Sequence, residues 1–355
     1  MLTGIMVTGH PSAKKAPSLG RLTQVTDTVV VIVNYESGAG LRRCLASVLG
    51  QVPPPARLLV VDNASRDGSA DDLPEGVDLI RRSENGGYAA ALLDGLAGSQ
   101  EPFILTLNPD TVLEAGALAA SVEALEGDHA AGSVALRVIQ ENHPELLDAT
   151  GIGLTSFLGQ INWDHGLPDA DTSLVAHEVL GPLGGAALWR RIALERAGNF
   201  DPRFFLYWED MDIALRLNRA GYECRTVPAA RVLHEGGGSV GHHSPRNVFY
   251  MVRNHWPCLI QSLPGPTLRA NLGALLLAPL RAAALYARRG RGLSALAGLI
   301  CGAALIPRSL LARRYLIRSG GGQKAAERLA LLMDSADANR LAMRKMRAVR
   351  SGMSS

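Results

Sequence analysis

A β-branched run, TVVVIVN over Thr28–Asn34, sets the strongest constraint on how this chain can fold. A continuous apolar strand needs cover on both faces, which is the condition of a strand inside a parallel sheet. The residues that follow supply the cover. Gly40–Leu49 carries Leu41, Leu45, Val48 and Leu49 at helical spacing, and Arg57–Asn63 (RLLVVDN) reads as a second strand. Val77–Arg81 is a short third strand, and Tyr88–Leu96 a helix opened by the loop Asn85-Gly86-Gly87. Phe103–Asn108 is a fourth strand and Ala115–Leu125 a third helix. This alternation predicts an α/β fold with a mainly parallel sheet flanked by helices. Such sheets bind ligands outside the carboxyl ends of their strands. Two strand ends here are polar, Asp62-Asn63 and Asn108-Pro109-Asp110. One such end is an ordinary turn signal. Two on one rim, with a glycine-rich loop between them, point to a site.

Charge divides the chain. The net charge is only +3, which argues against a nucleic-acid partner. Residues 264–355 hold 16 Lys and Arg against 3 Asp and Glu, whereas residues 1–263 hold 20 against 30. An acidic body, 28–263, is followed by a basic tail. Within the tail, Leu272–Tyr286 and Leu293–Ile306 are apolar, interrupted by Pro279 and Arg281 and separated by ARRGRG, with Pro307 and a basic run beyond. Each piece falls short of the ~20 residues of a membrane-spanning helix. Apolar faces fringed with arginine suit amphipathic helices on an anionic membrane surface. Residues 264–320 are therefore expected to associate with a membrane, and 321–355 to form a basic helical or mobile tail. The alternative is a helical subdomain docked on the body with a solvated basic face. Residues 1–27 read as a disordered leader without the features of a signal peptide. Cys44, Cys224, Cys258 and Cys301 have neither redox-motif nor metal-ligand spacing, which fits a reducing compartment. The expected location is cytoplasmic, peripheral at the inner face of the cell membrane.

Several side chains carry chemistry. A carboxylate at Asp62 can accept the imide N–H of uracil or thymine. One at Asp110 can hold a divalent cation against a diphosphate, since hard cations share oxygen ligands with phosphates. FFLYWEDMDIALRLNRAGY sets Glu209, Asp210 and Asp212 at the start of a helix. The helix dipole alone favours acids there, but three after an aromatic run leave one available as a general base on an acceptor hydroxyl. Asp212, two residues past Asp210, points elsewhere on the helix and is expected to stabilise its start. His234, in ARVLHEGGGS, is either structural or a metal ligand. His242-His243 read as surface residues.

In order along the chain stand VVIVNYESGAGLRRCLASVLGQ, LLVVDNASRDGS, RRSENGGYAAALLDGL, LTLNPDTVL, GPLGGAALWRR, GNFDPRFFLYWEDMDIALRLNRAGY and VLHEGGGS. Together they resemble inverting family 2 glycosyltransferases of the GT-A fold, in particular the rhamnosyltransferase-like branch, from roughly Thr28 to Asn254. The resemblance implies roles position by position. Asn34 and Tyr35 would line the nucleobase pocket and Asp62 would read the pyrimidine. Arg82, Asn85 and Gly86 match the loop near the ribose and diphosphate. Asn108-Pro109-Asp110 stands where the family has Asp-x-Asp, which leaves Asp110 as the main carboxylate ligand of a divalent cation (Mg2+ or Mn2+). His234 matches the histidine that completes the metal site. Asp210 matches the catalytic base, Glu209 would orient the acceptor or the base, and Trp208, Gly184 and Gly185 would shape the sugar and acceptor pocket.

The implied partners are a nucleoside diphosphate sugar, best read as dTDP-rhamnose, and a lipid-linked or polysaccharide acceptor in cell-wall or surface glycan synthesis. UDP-galactofuranose, UDP-glucose and UDP-GlcNAc are alternative donors. A nucleotidyltransferase would want a glycine-rich, Lys/Arg-bearing loop straight after the first strand, and NYESGAGLRR is a poor match. An inactive membrane scaffold would not need Asp62, Asp110, Asp210 and His234 together.

Overall fold

The computed structural model describes residues 25–236, 244–317 and 322–353. The elements run β1 (Thr26–Asn34), α1 (Gly40–Leu49), β2 (Pro55–Asp62), β3 (Val77–Arg81), α2 (Tyr88–Ala97), β4 (Phe103–Leu107), β5 (Thr111–Leu113) and α3 (Ala117–Gly127). They continue as β6 (Ala131–Gln140), β7 (His143–Ala149), β8 (Ile152–Leu154), β9 (Gln160–Asn162), β10 (Glu178–Val179), β11 (Ala186–Arg190), α4 (Arg191–Ala197), α5 (Glu209–Arg219) and β12 (Glu223–His234). Five helices follow: α6 (Pro245–Ser262), α7 (Gly265–Ala270), α8 (Leu272–Arg288), α9 (Gly292–Ile317) and α10 (Gly322–Met353). The strand-helix order matches the sequence reading through β4; the short strand β5 was not expected, and the expected third helix follows it as α3. β1 begins at Thr26, inside the expected leader; the rest of that leader, 1–24, lies outside the described residues, as do His242 and His243.

The main sheet has the order β10-β12-β6-β11-β4-β1-β2-β3. β3, β2, β1 and β4 are parallel, as are β6 and β12, while β11 lies antiparallel between β4 and β6. The period of two in β1 divides its side chains between two cores. Val30 and Ile32 pack with Leu41 and Leu45 of α1 and Leu118 of α3. Val29, Val31 and Val33 pack with Leu92 of α2, Leu194 of α4 and Ile213 of α5. Helices therefore cover both faces, as the uninterrupted β1 run requires.

The tail departs from expectation at Pro307. Pro307 does not end the second apolar segment, because α9 runs through it. A proline costs one i→i−4 hydrogen bond and bends a helix without always stopping it. Gly292–Arg314 is thus a continuous 23-residue stretch, long and apolar enough by length and composition to cross a membrane. The last helix takes the helical form of the two expected for 321–355, and it packs on the body. Leu329, Leu332 and Met333 of α10 join a core with Ile152, Leu154, Met211 and Leu259. Asn339 Nδ2 donates to Asp164 Oδ1 at 2.6 Å, and Arg328 Nη1 to the Tyr222 carbonyl at 2.8 Å.

α9 lies on α6 through two glycines. A Cβ added at Gly298 would fall 2.7 Å from the Phe249 carbonyl oxygen, and one at Gly302 2.6 Å from that of Arg253. Close backbone approach is what a small-residue pair four apart permits. Replacing Gly302 by Val should lower stability by about 1–3 kcal/mol through overpacking, read as a fall in denaturation midpoint, whereas Leu296→Ala on the exposed side of α9 should change it little.

Candidate active site

The carboxyl ends of β1, β2 and β4 make one rim. Asn34 and Asp62 are register partners in the β1–β2 ladder, and both side chains are buried. Asn34 Nδ2 donates to Asp62 Oδ1 at 2.9 Å, to Ser65 Oγ at 3.1 Å and to Ser69 Oγ at 2.9 Å, while the Ser37 hydroxyl donates to Asn34 Oδ1. The Asp62 carboxylate is thereby fixed, and half-buried Tyr35 follows it at the strand end. Asn63 holds the next loop: its Oδ1 accepts from Arg82 Nη1 at 2.9 Å and from the Gly86 N–H at 3.2 Å. Arg82 Nε also pairs with Asp94 at 2.9 Å. Its guanidinium buttresses the loop, and a Cβ at Gly86 would meet it at 2.6 Å. Asn85 Oδ1 accepts from the Gly87 N–H at 3.0 Å. Gly87 has φ +90°, and an added Cβ would lie 2.3 Å from the Phe205 carbonyl oxygen, so the loop is pressed against the segment that leads to α5.

A second group forms where β5 turns back after Asp110. β12 pairs antiparallel with β5, His234 opposite Thr111, and the Glu235 N–H donates to the Asp110 carbonyl at 3.1 Å. This register brings His234 Nε2 to 3.5 Å from Asp110 Oδ1. The other ring nitrogen, Nδ1, faces Asp148 Oδ2 at 2.7 Å, and Asp148 Oδ1 lies 3.1 Å from His165 Nδ1. Burial would lower the His234 pKa, but the Asp110 and Asp148 carboxylates overcome it and hold the ring up to about 10. The Asp148 carboxyl is held well below the ordinary range: burial pushes it up, and hydrogen bonds from both histidines outweigh that. Asp148 and His165 were not singled out from sequence. The only cue, a hairpin return from β6 to β7 pairing Gln140 with His143, becomes informative once β6 is known to border β12.

The third group surrounds the acids of α5. Tyr207 and Trp208 precede the helix with φ of 66° and 72°, a costly left-handed pair for non-glycine residues. Asn254, fully buried on α6, holds that turn by donating Nδ2 to the carbonyls of Leu206 and Tyr207, each at 2.9 Å. Arg253 donates to the Arg203 carbonyl at 3.1 Å, so this pair supports the turn. Trp208 does not present its ring to the rim: it is 7% exposed, donates Nε1 to the Met251 carbonyl at 3.1 Å and stacks edge-on against His255. Its contribution is the backbone geometry that starts α5.

Asp210 Oδ1 accepts from the Met211 N–H at 2.7 Å, and Oδ2 accepts from Gln160 Nε2 at 3.5 Å. Burial raises the Asp210 pKa. Burial first, then the Asp210 charge beside it, raises that of Glu209, whose Oε2 is buried without a partner. Asp212 is fully buried and exceeds the expected helix-start role: Arg216 Nη2 donates to it at 2.6 Å, and Gln261 Nε2 at 2.7 Å, which ties α5 to α6.

Gly184-Gly185 joins the second and third groups. The Asn108 N–H donates to the Gly185 carbonyl at 2.9 Å, and a Cβ at Gly185 would lie 2.4 Å from Asn108 Nδ2. A Cβ at Gly184 would lie 3.3 Å from Asp210 Cβ. Tyr88 completes the link, donating its hydroxyl to the Gly184 carbonyl at 2.9 Å. Its pKa is raised by burial and then by the nearby negative charges of Glu209, Asp210 and Asp110. Among the described residues no three His, Cys, Asp or Glu side chains cluster as a metal cage. Asp110 Oδ1 is nevertheless buried with no hydrogen-bond partner, and the His234 Nε2 beside it completes a two-ligand face of hard oxygen and imidazole nitrogen. That donor set fits a divalent cation whose remaining ligands come from a diphosphate.

Residues 29–194 match the profile of Glycosyl transferase family 2. N-acetylglucosaminyl-diphospho-decaprenol L-rhamnosyltransferase of Mycobacterium tuberculosis is 29% identical over 268 residues, covering 65% of this chain and 86% of that protein. The mannosyltransferase PcManGT from Pyrobaculum calidifontis, solved with GDP-Man and Mn2+, superposes with a TM-score of 0.52 at 21% identity over 89% of this chain and 88% of its own. GalNAc-T7, solved with UDP, GalNAc and Mn2+, gives a TM-score of 0.52 at 18% identity over 66% of this chain and 48% of its own. At those identities the two structures bear on the fold alone. With the rim and its acids in place on this sheet, residues 29–194 carry a family 2 glycosyltransferase domain on a GT-A-like fold, and the chain is a glycosyltransferase.

Proposed function

We propose that this glycosyltransferase moves L-rhamnose from dTDP-rhamnose to a lipid-linked acceptor at the cytoplasmic membrane face, with inversion at the anomeric carbon. The observation that carries the reading is the buried Asp210 side chain packed on Gly184, whose neighbour Gly185 lies against Asn108 at the start of the Asn108-Pro109-Asp110 turn. A base and a diphosphate-holding carboxylate joined through the Gly184-Gly185 segment suit a single displacement. The M. tuberculosis relative, named for L-rhamnosyl transfer to a decaprenol-linked sugar, supports the donor and the acceptor class. A UDP-sugar is the second reading, because Asp62 would accept the imide N–H of uracil as readily as that of thymine.

In this mechanism Asn34 and the serines around it hold Asp62 against the base, while the Asn85–Gly87 loop lies along the ribose and diphosphate. Asp110 and His234 would hold the divalent cation, which when bound offsets charge on the departing diphosphate. The acceptor hydroxyl oxygen bonds to the anomeric carbon as the bond to the diphosphate oxygen breaks. Asp210 takes the hydroxyl proton, and the nucleoside diphosphate leaves on the opposite face. Glu209, kept protonated by burial and by its neighbour, can donate a hydrogen bond to the acceptor without competing as a base. Asp148 is a positioning residue: it holds Nδ1 of His234 so that Nε2 turns to Asp110. The exposed leucines and the arginines of α8 and α9 support peripheral membrane attachment.

A donor panel read as nucleoside diphosphate release, with and without Mg2+ or Mn2+, tests the assignment. dTDP-rhamnose should be the best substrate, and equal or better turnover of a UDP-sugar would replace it with the second reading. Asp210→Asn should reduce transfer by about 10²–10⁴-fold and leave donor affinity within a few-fold. A parallel loss of donor binding would mean that the base is misassigned.

The pH profile follows from the direction of the Asp210 shift. The base works ionised, and burial raises its pKa above the ordinary 3.8, so rate should be lost as pH falls through that raised value. An acid limb at or below 3.8 in kcat would contradict this assignment. Asp148→Ala should weaken Mn2+ binding by about 10–100-fold, measured by paramagnetic resonance of free Mn2+, while Asp201→Ala, outside the rim, should not.

A further inference from the structure

Three arginines outside the cleft lie around the junction of α6 and α7. Arg219 ends α5, Arg269 lies on α7, and Arg313 lies on α9. Arg313 is 8% exposed and donates Nη1 to the carbonyls of Ile260 at 2.9 Å and Leu263 at 2.6 Å. Arg219 is 6% exposed, reaches the Gln261 carbonyl only at 3.4 Å, and leaves its Nε buried without an acceptor. A Cβ added at Gly265 would lie 3.5 Å from Arg269 Nη1 and 3.6 Å from Arg313 Nη2, so these two guanidiniums flank one glycine. Arg269 is exposed, which leaves the cluster open on that side.

No carboxylate pairs with any of the three among the described residues. Other buried arginines are different: Arg137 pairs with Asp169 at 2.6 Å and Arg216 with Asp212 at 2.6 Å. A helix carboxyl end offers roughly half a negative charge, against three cations. Burial and then the Arg313 charge lower the Arg219 pKa to about 10, and burial and the Arg269 charge lower that of Arg313. Cations held together this way are costly unless an anion completes them.

The surroundings indicate which anion. α7 leads directly into α8, and Arg313 sits at the end of the apolar Gly292–Arg314 stretch. Leu276, Leu277 and Leu280 on α8 and Leu310 and Leu311 on α9 are all exposed beside these ends. A phosphate with attached acyl chains matches both parts. Guanidiniums bind phosphate oxygens through paired, charge-assisted hydrogen bonds, and the leucines are free to meet hydrocarbon.

We propose that Arg219, Arg269 and Arg313 form a binding site for the phosphate of an anionic phospholipid, whose acyl chains lie along the exposed leucines of α8 and α9. The inference rests on the reading of those helices as a membrane-facing surface. It makes attachment depend on one built site as well as on diffuse positive charge.

Titration of the full chain with monomeric dihexanoylphosphatidylglycerol tests it, since a dispersed lipid presents no charged surface. The wild type should bind, Arg269→Gln should weaken binding by at least about tenfold, the loss of one charge-assisted hydrogen bond, and Arg308→Gln, exposed elsewhere on α9, should stay within about twofold. Arg313→Gln should also lose binding; if it fails to fold, the exposed Arg269 decides. Equal losses in the Arg269 and Arg308 variants would overturn the proposal in favour of diffuse charge. Equal affinity for dihexanoylphosphatidylcholine would overturn it in favour of the apolar face alone. Inorganic phosphate binding as tightly as the lipid would make it a site for free phosphate and end the lipid assignment. Nucleoside diphosphate release is read on the same samples in detergent and should be equal in the wild type and the Arg269 variant. Its absence from both would count against the transfer chemistry and leave the lipid result standing.

Discussion

The antiparallel insertion of β11 between β4 and β6 is the constraint on which the cleft depends. Ala186 pairs with Leu107, so Gly185 and Asn108 must face each other at the end of that ladder. Any side chain on Gly185 would occupy the Asn108 amide, and the Gly184 carbonyl is already bound by Tyr88 and by Thr106 Oγ1 at 2.7 Å. Glycine there gives close backbone approach, which lets α5 bring Asp210 down onto the rim. A parallel strand in the same place would begin at the far edge, and its preceding loop could not bridge the two carboxylates.

The acids themselves sit where their charge is least comfortable. Glu209 and Asp210 are buried side by side at the start of α5, where the helix dipole favours negative charge but burial and mutual repulsion oppose it. The two left-handed residues before the helix add strain, which Asn254 offsets by binding both carbonyls of the turn. Strain of about 1–3 kcal/mol per such residue persists only where the surroundings over-determine it. The arrangement suits the role of base proposed for Asp210, because burial raises its proton affinity.

Sequence reading was most accurate where local pattern decides structure. The strands and helices through β4 follow from β-branched runs and helical spacing, and Asp62, Asn108 and Asp110 stand at strand ends because a run of apolar residues has to stop somewhere polar. His234 meets Asp110 through register, a non-local property: nothing in VLHEGGGS says that β12 will pair with β5. Asp148 was invisible for the same reason, since its importance comes from a hairpin folded beside a strand that ends more than eighty residues later. Trp208 misled because an aromatic beside two acids suggests a pocket wall, whereas the left-handed turn swings the ring inward onto α6. Pro307 misled because a proline predicts a break from local rules, and packing of α9 on α6 outweighs the one lost hydrogen bond.

α6 connects the chemistry to the tail. One side of it carries Asn254 and the Met251 carbonyl that hold the Tyr207-Trp208 turn, and through Gln261 it also binds Asp212. Another side meets Gly298 and Gly302 of α9 at backbone distance. The catalytic helix start and the apolar helices are thus separated by a single helix that touches both. The Phe249 and Arg253 carbonyls that meet α9 and the Met251 carbonyl and Asn254 side chain that hold the Tyr207-Trp208 turn all lie on one short stretch of α6. Interfaces this tightly packed transmit displacement, because interiors at crystal-like density do not compress. The tail of this enzyme is on these grounds a structural wall of the domain that carries the rim.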